Sequence, residues 1–366
     1  MSPNKRTGRK RDYVGVLSSV FAIVIGLLVG FVILLICNPS QALPGFVTIL
    51  TGAFTHGLKG VGQVFYYATP IILTGLSVGF AFKTGLFNIG TPGQFIVGAF
   101  AAVYVGIMWT GLGRIQWAVA LLAAILGGAL WGMVPGFLKA CFNVNEVIAS
   151  IMMNYIGMYM VNWIVKSYKP LFNNLRNESR NVAATAQIPK MGMDKLFPES
   201  SVGGGILLAI AAVLIIWVIL NKTTFGYELK AVGFNRDASR YAGINEKRNI
   251  IMSMVIAGAI AGMAGGLLYL AGTGKHIEIK DVLASEGFTG ISVALLGLSH
   301  PIGVLFSGLF IAYLTAGGFY LQLFEFSTEI IDIIVAVIIY FSAFALIVKT
   351  ILTRMNHKRE KGGGRT

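Results

Sequence analysis

The sequence predicts an all-α polytopic membrane protein of about ten membrane-spanning helices, arranged as two inverted five-helix repeats. Three observations predict it. Uncharged apolar runs of spanning length recur from end to end, charge is scarce and gathered in tails and loops, and the pattern of runs and breaks is doubled. Of 366 residues, 55% are hydrophobic and 12% charged, with mean hydropathy +0.75, whereas a soluble domain is roughly a quarter charged. Such a chain cannot cover a water-exposed surface with polar side chains, and its apolar runs leave no room for a separate soluble domain.

A span needs about 20 apolar residues, because the hydrocarbon core is about 30 Å thick and every backbone amide inside it must be paired. The runs 14–36, 60–82, 115–138, 147–165, 204–221 and 250–274 meet that demand. The run 84–113 supplies one more helix with a broken entry at Thr91-Pro92-Gly93. The uncharged stretch 287–324 divides at Ser299-His300-Pro301 into a short span before His300 and a full one over 302–318, and a last span covers 329–348. Pro70 and Pro135 lie within spans and are expected to bend them. The membrane-spanning body is thus 14–350, between basic tails at 1–13 and 351–366.

The charges set the orientation. Lys5, Arg6, Arg9, Lys10 and Arg11 precede the first run, and Lys349, Arg354, Lys358, Arg359, Lys361 and Arg365 follow the last. An even number of spans puts both basic tails on one side, which the positive-inside rule makes cytosolic. The loop 222–249 then also falls inside, with Lys222, Lys230, Arg236, Arg240, Lys247 and Arg248. The loop 166–203 falls outside although it carries Lys166, Lys169, Arg176, Arg180, Lys190 and Lys195; long loops obey the charge rule less strictly. The net charge of +14 therefore belongs to an anionic leaflet and not to nucleic acid. The first run is longer than a signal-peptide core and is read as a retained helix.

Each half holds five spans, and in each a glycine-broken region follows the second: GLFNIGTPGQ at 85–94 and EGFTGI at 286–291. Gly128, Gly132 and Gly136 line one face of a predicted helix, and Gly258, Gly262 and Gly266 line another. Small residues at this spacing let membrane helices approach closely, so both helices are expected at the centre of a tight bundle.

Enzyme chemistry is excluded by what the chain lacks. No Ser/His/Asp set, HExxH or paired acids at workable spacing occurs; His56, His276, His300 and His357 are scattered, and Glu146, Glu286, Glu329 and Asp332 fall near predicted helix ends. Cys37 and Cys141 stand alone, no metal set is formed, and Gly90-Thr91-Pro92-Gly93 lacks the Gly-Lys-Ser/Thr of a phosphate loop. A path through such a bundle is lined by neutral polar groups, which suits an uncharged polar solute. A fixed ion would require a buried countercharge. The candidate pathway residues are Asn88, Thr91, Gln94, Glu286, Thr289 and Ser292. The alternative for Asn88 and Gln94 is that they only cap broken helices.

In the loop 222–249, Asn235 can cap a short helix with Asp237 in its first turn and Gly243 ending it. Ala238, Tyr241 and Ala242 would occupy one side, Arg236 and Arg240 another. A short stiff element with an aromatic and two arginines suits a groove on a soluble partner, which would supply the driving force. The alternative, an amphipathic segment resting on lipid, has little bulky apolar surface to hold it there.

Over 60–348 the sequence resembles the binding-protein-dependent ABC importer permeases of the branched-chain amino acid and simple-sugar group, and most of all the nucleoside importer permeases. The stretch 85–94, the stretch NEVIASIMMNY at 145–155 and the loop 226–244 carry the resemblance. Thr91-Pro92 and the long loop 166–203 depart from it. It implies a type II-like ABC importer permease fold in a bacterial cytoplasmic membrane, multi-pass, with both termini cytosolic. It further implies a second permease subunit, giving a heterodimer, two cytosolic ATPase subunits and an extracellular solute-binding protein. This chain would bind no cofactor, ATP and Mg sitting on the partner ATPase. The coupling helix would be formed by Arg236, Asp237, Arg240, Tyr241 and Gly243. The implied solute is a nucleoside, with simple sugars such as ribose or galactose as the alternative.

Overall fold

The computed structural model describes residues 5–343; the basic tail at 351–366 and the end of the last predicted span lie outside the described residues. The helices are α1 Lys5–Cys37, α2 Ala42–Thr55, α3 Gly57–Lys83, α4 Thr91–Met108, α5 Gln116–Phe142, α6 Glu146–Ser167, α7 Met193–Leu196, α8 Gly205–Lys222, α9 Thr224–Phe234, α10 Arg236–Tyr241, α11 Glu246–Tyr269, α12 Ser285–Leu296, α13 Pro301–Phe319 and α14 Thr328–Ala343. One small antiparallel pair, β1 Phe172–Asn173 and β2 Glu178–Ser179, interrupts them.

The all-α polytopic class is what the sequence predicts; the count of ten is not reached among the described residues. Among the described residues seven helices are long and apolar enough to cross a membrane. The short span expected before His300 is α12, whose 12 residues reach only about 18 Å, well short of the hydrocarbon thickness. Three helices were not expected at all, the four-residue α7 in the loop 166–203 among them. The apolar α2 has 14 residues, too few for a spanning pattern, and α9 carries Glu228 and Lys230 in the basic loop. At the start, α1 begins at Lys5, inside the segment 1–13 read as a tail. Lysine and arginine are good helix formers, and no proline stands between Lys5 and Val14 to stop the helix.

The chain divides into two compact units, one taking the chain up to Gly52 and from Leu314 onward, the other Ala53–Tyr313. In the first, α1 packs on α14, with Gly30 against Ile334. The Phe31 and Phe46 rings lie 5.0 Å apart. Gly317 brings the last turn of α13 onto the backbone of α2 at Ile49.

The second unit is built around α11, which packs on α5, α4 and α3; α12 and α8 lean on α3, and α6 on α4. The contact between α5 and α11 is glycine on glycine. A methyl group on Gly128 would lie 2.7 Å from Gly262 Cα, and one on Gly258 3.1 Å from Gly132 Cα. Gly98 of α4 meets Gly262 from the other side, and Gly265 meets the Phe95 carbonyl. Gly136 and Gly266 extend the seam, against Met254 and Ala124. The structure thus brings together the two glycine faces read separately from the sequence. With no hydrophobic drive between helices in lipid, this close van der Waals contact is what holds the centre.

The two ends of α3 mark the two ends of this unit. At its start Lys59 pairs with Glu199 (3.3 Å) and Phe65 packs on Phe197. At its finish Gly85 lies against Gly233 of α9.

Candidate functional site

Three places carry the polar chemistry of the second unit. The first is the joint between α3 and α4. Asn88, Thr91 and Gln94 are fully buried. Asn88 and Gln94 exchange a reciprocal pair of bonds: Asn88 Nδ2 donates to Gln94 Oε1 at 2.9 Å, and Gln94 Nε2 to Asn88 Oδ1 at 3.1 Å. Asn88 Oδ1 also accepts from the Gly90 amide (3.1 Å), and Thr91 Oγ1 donates to the Asn88 carbonyl (3.2 Å). Ser77 Oγ, 3.4 Å from Asn88 Nδ2, donates to the Ala257 carbonyl of α11 (2.7 Å).

The first turn of a helix has amides without intrahelical acceptors. In α4 the Gly93 amide is met from another helix: Asn154 Oδ1 of α6 accepts from it at 2.9 Å, while Asn154 Nδ2 donates to the Ile89 carbonyl at 3.0 Å. Sequence reasoning missed Asn154 as a bridge, although a buried asparagine in the middle of an apolar span was the visible signal. Asn88, Thr91 and Gln94 are thus enclosed within the chain and use their polar groups on one another and on the backbone. That is the chemistry of the capping alternative, with the cap divided between two helices.

This arrangement fixes an expected result. Asn88→Leu, close in volume, leaves the Gln94 amide buried without its partner and should lower stability by about 1–3 kcal/mol. The double variant Asn88→Leu/Gln94→Leu should cost less than the sum of the single ones. Thermal unfolding of the detergent-solubilised protein reads this out; strictly additive losses would refute the coupled pair.

The second place is α12. Glu286 pairs with Lys275 at 3.1 Å, Thr289 Oγ1 donates to the Ser285 carbonyl at 3.1 Å, and Ser292 is half-buried. Gly287 sits on Pro92, where a methyl group would lie 2.6 Å from Pro92 Cα, so the two glycine-broken regions touch. They touch through backbone and proline ring; the polar side chains of Glu286, Thr289 and Ser292 make none of their hydrogen bonds to Asn88, Thr91 or Gln94.

The third place is the arm α9–α10. Asn235 caps α10 by accepting from the Ala238 amide at 3.0 Å, with Asp237 in the first turn. After Tyr241 the chain turns through Gly243 at φ +83°, where the Gly243 amide donates to the Arg240 carbonyl at 3.0 Å. Arg236 does not project freely: it pairs with Glu246 of α11 at 3.3 Å. Asn249 of α11 reaches back to Glu228 of α9 at 3.1 Å, so the arm is clamped to the start of α11. Its outer surface shows Tyr241 at 95% and Phe234 at 92% exposure, with Arg240 beside them. Phe234 is a residue that the sequence analysis did not single out; its place at the α9–α10 corner explains its exposure.

At the opposite end the segment 168–204 folds back as a cap. The Ser179 amide donates to the Ile277 carbonyl (2.9 Å) and the Ile279 amide to the Asn177 carbonyl (3.1 Å), joining the β1–β2 hairpin to the segment after α11. There the ammonium of Lys280, 2.8 Å from Glu278, holds that carboxyl below its ordinary range.

Residues 60–343 match the family model described as "Branched-chain amino acid transport system / permease component". The guanosine ABC transporter permease protein NupP of Bacillus subtilis (strain 168) is 38% identical over 340 residues, 93% of this chain and 96% of its own. The nucleoside ABC transporter permease protein NupB of Lactococcus lactis subsp. cremoris (strain MG1363) is 34% identical, covering 93% of each chain. The glucose ABC transporter permease protein TsgB13 of Haloferax volcanii is 31% identical over 81% of this chain and 78% of its own. A second guanosine permease protein of the same Bacillus strain, NupQ, is 29% identical over 68% of this chain and 77% of its own. No solved structure matches the chain.

Proposed function

The chain belongs to the branched-chain amino acid transport system permease family, and from that premise we propose that it is the membrane-spanning subunit of an ATP-driven, binding-protein-dependent nucleoside importer. The observation that carries the solute is similarity over nearly the full length of both chains to a guanosine and a nucleoside permease, at 38% and 34% identity. The glucose permease is less similar and covers less of the chain. Two different guanosine permeases in one strain support a heterodimer, with this chain taking one of the two positions.

In this reading ATP and Mg are held by separate cytosolic ATPase subunits, and an extracellular binding protein delivers solute to the end of the bundle opposite α10. Both termini are cytosolic, in the cytoplasmic membrane. The exposed α9–α10 corner fits the role of the part that seats in the ATPase, with Arg240 and Tyr241 in contact and Arg236, Asp237 and Gly243 shaping the helix. Because α9 and α10 are tied to α11, and α11 is packed through glycine on α5 and α4, a displacement at the corner is passed into the centre of the bundle. Glu286, Thr289 and Ser292 on α12 remain the pathway side chains of the proposal; the buried Asn88 joint is what α12 would move against.

The test is ATP hydrolysis by the reconstituted complex with its binding protein, with guanosine, adenosine, ribose and galactose in parallel. Solute loading and nucleotide binding are coupled reciprocally in such a machine. Nucleosides should raise hydrolysis several-fold and sugars should not. Stimulation by ribose or galactose alone would overturn the solute assignment, and uptake that persists without any ATPase subunit would overturn the mechanism.

A further inference from the structure

At the end of the bundle opposite α10, α6 carries Tyr159 and Trp163 one helical turn apart, 53% and 69% exposed. Beside them Asn162 Nδ2 donates to the Lys280 carbonyl at 3.0 Å and to Asp281 Oδ1 at 3.3 Å, which fixes the loop after α11 against the helix. Asn177 closes the far side, its Nδ2 donating to the Ile279 carbonyl at 3.2 Å. Together with Lys166 these residues line an open recess of about 440 Å³, within the ~300–1,000 Å³ range of small-molecule sites. One wall is aromatic. The other offers an amide, a carboxylate and an ammonium group.

The composition of α6 argues that this face does not simply meet lipid. The exposed faces of α5 and α8 are mainly aliphatic, with Leu122, Leu126 and Leu130 on one and Leu214, Ile215 and Val218 on the other. The helix α6 is about as exposed as α8, yet its mean hydropathy is 1.3 against 2.4, the lowest of the seven spanning helices. Its exposed stripe includes Tyr155, Tyr159 and Trp163. Tyrosine and tryptophan also suit a membrane interface, but an interfacial belt requires no carboxylate and amide set into a recess beside the rings.

We propose that this recess is a nucleoside-binding site at the entrance of the path. The base stacks on Tyr159 and Trp163, and the ribose hydroxyls donate to Asp281 and to Asn162 Oδ1, which accepts no other bond among the described residues. A stacking platform takes purine and pyrimidine bases alike, because every base has a π face. A free sugar, with no base, has no π face to stack on it and gains less. The proposal rests on the reading of the chain as a nucleoside permease and locates a site which that reading leaves open.

The experiment is uptake of radiolabelled guanosine by liposomes holding the complete complex and its binding protein. Trp163→Ala and Tyr159→Ala should each raise the apparent KM about tenfold with a smaller effect on the maximal rate, and Trp163→Phe should stay within about twofold of wild type. An unchanged KM in Trp163→Ala, in a complex whose wild-type form transports guanosine, overturns the site and leaves the nucleoside reading intact. A wild-type complex that transports no nucleoside overturns the reading itself. Should the alanine variants fail to assemble, photolabelling of the wild-type complex with 8-azidoguanosine decides: label between residues 159 and 166 supports the site, and label confined to other segments overturns it.

Discussion

Gly262→Leu is expected to yield no folded protein. Gly262 faces α5 and α4 at once: a single methyl group there would lie 2.9 Å from Gly128 Cα and closer still to the Ala124 carbonyl oxygen, and Gly98 stands on its other side. These obstacles are backbone, which cannot swing aside as a side chain does. Overpacking by one methylene-sized group costs about 1–3 kcal/mol, and leucine adds four carbons at a point where three helices meet. The total rivals the ~5–15 kcal/mol that keeps a typical protein folded. Gly262→Ala should already lower the melting temperature markedly, whereas Gly203→Ala, with nothing within 4 Å of the added carbon, should not. Size-exclusion profiles and thermal unfolding in detergent check the series. A well-folded Gly262→Leu protein would show that α5 and α11 separate at little cost.

The second large effect is expected from Phe234→Ala combined with Tyr241→Ala. Both side chains are more than nine-tenths exposed, so their loss costs this chain's own fold little. Exposed aromatics at the centre of a docking surface, by contrast, are the residue type on which interface affinity concentrates. ATP-driven nucleoside uptake should fall at least about tenfold, with co-purification of the ATPase subunits reduced and the amount of inserted permease unchanged. Adding Arg240→Ala should mainly increase the sensitivity of assembly to salt, as loss of a rim charge does. Unchanged uptake and co-purification in the double aromatic variant would remove α9–α10 from the coupling surface.

The sequence made most of the bundle legible, because spanning helices are written in long uncharged runs that need no knowledge of neighbours. The helix α10 was legible down to its cap, since Asn235, Asp237 and Gly243 act within a few residues of each other. The glycine faces announced close packing, though not that they pack on each other: spacing records a face, and the partner is a tertiary fact. For the same reason the Asn88 joint was read with two meanings. Nothing in the order of residues says that Gln94 returns both bonds, or that Asn154, 61 residues after Gly93, completes the first turn of α4. The recess on α6 was invisible in another way. Its aromatic wall lies in one helix and much of its polar wall in a loop more than a hundred residues later, and only the tertiary fold brings them together. The helix α2 was missed because a pattern tuned to spanning length passes over 14 apolar residues.

Where α9 crosses the end of α3, peptide touches peptide: a methyl group on Gly85 would lie 2.6 Å from Gly233 Cα. Side chains placed between moving parts behave as springs, since their rotamers yield before they push. No such spring stands at this crossing. An ångström of travel at the α9–α10 corner would therefore arrive undamped three residues from Asn88, its length set by bare backbone geometry, with no slack to take up first.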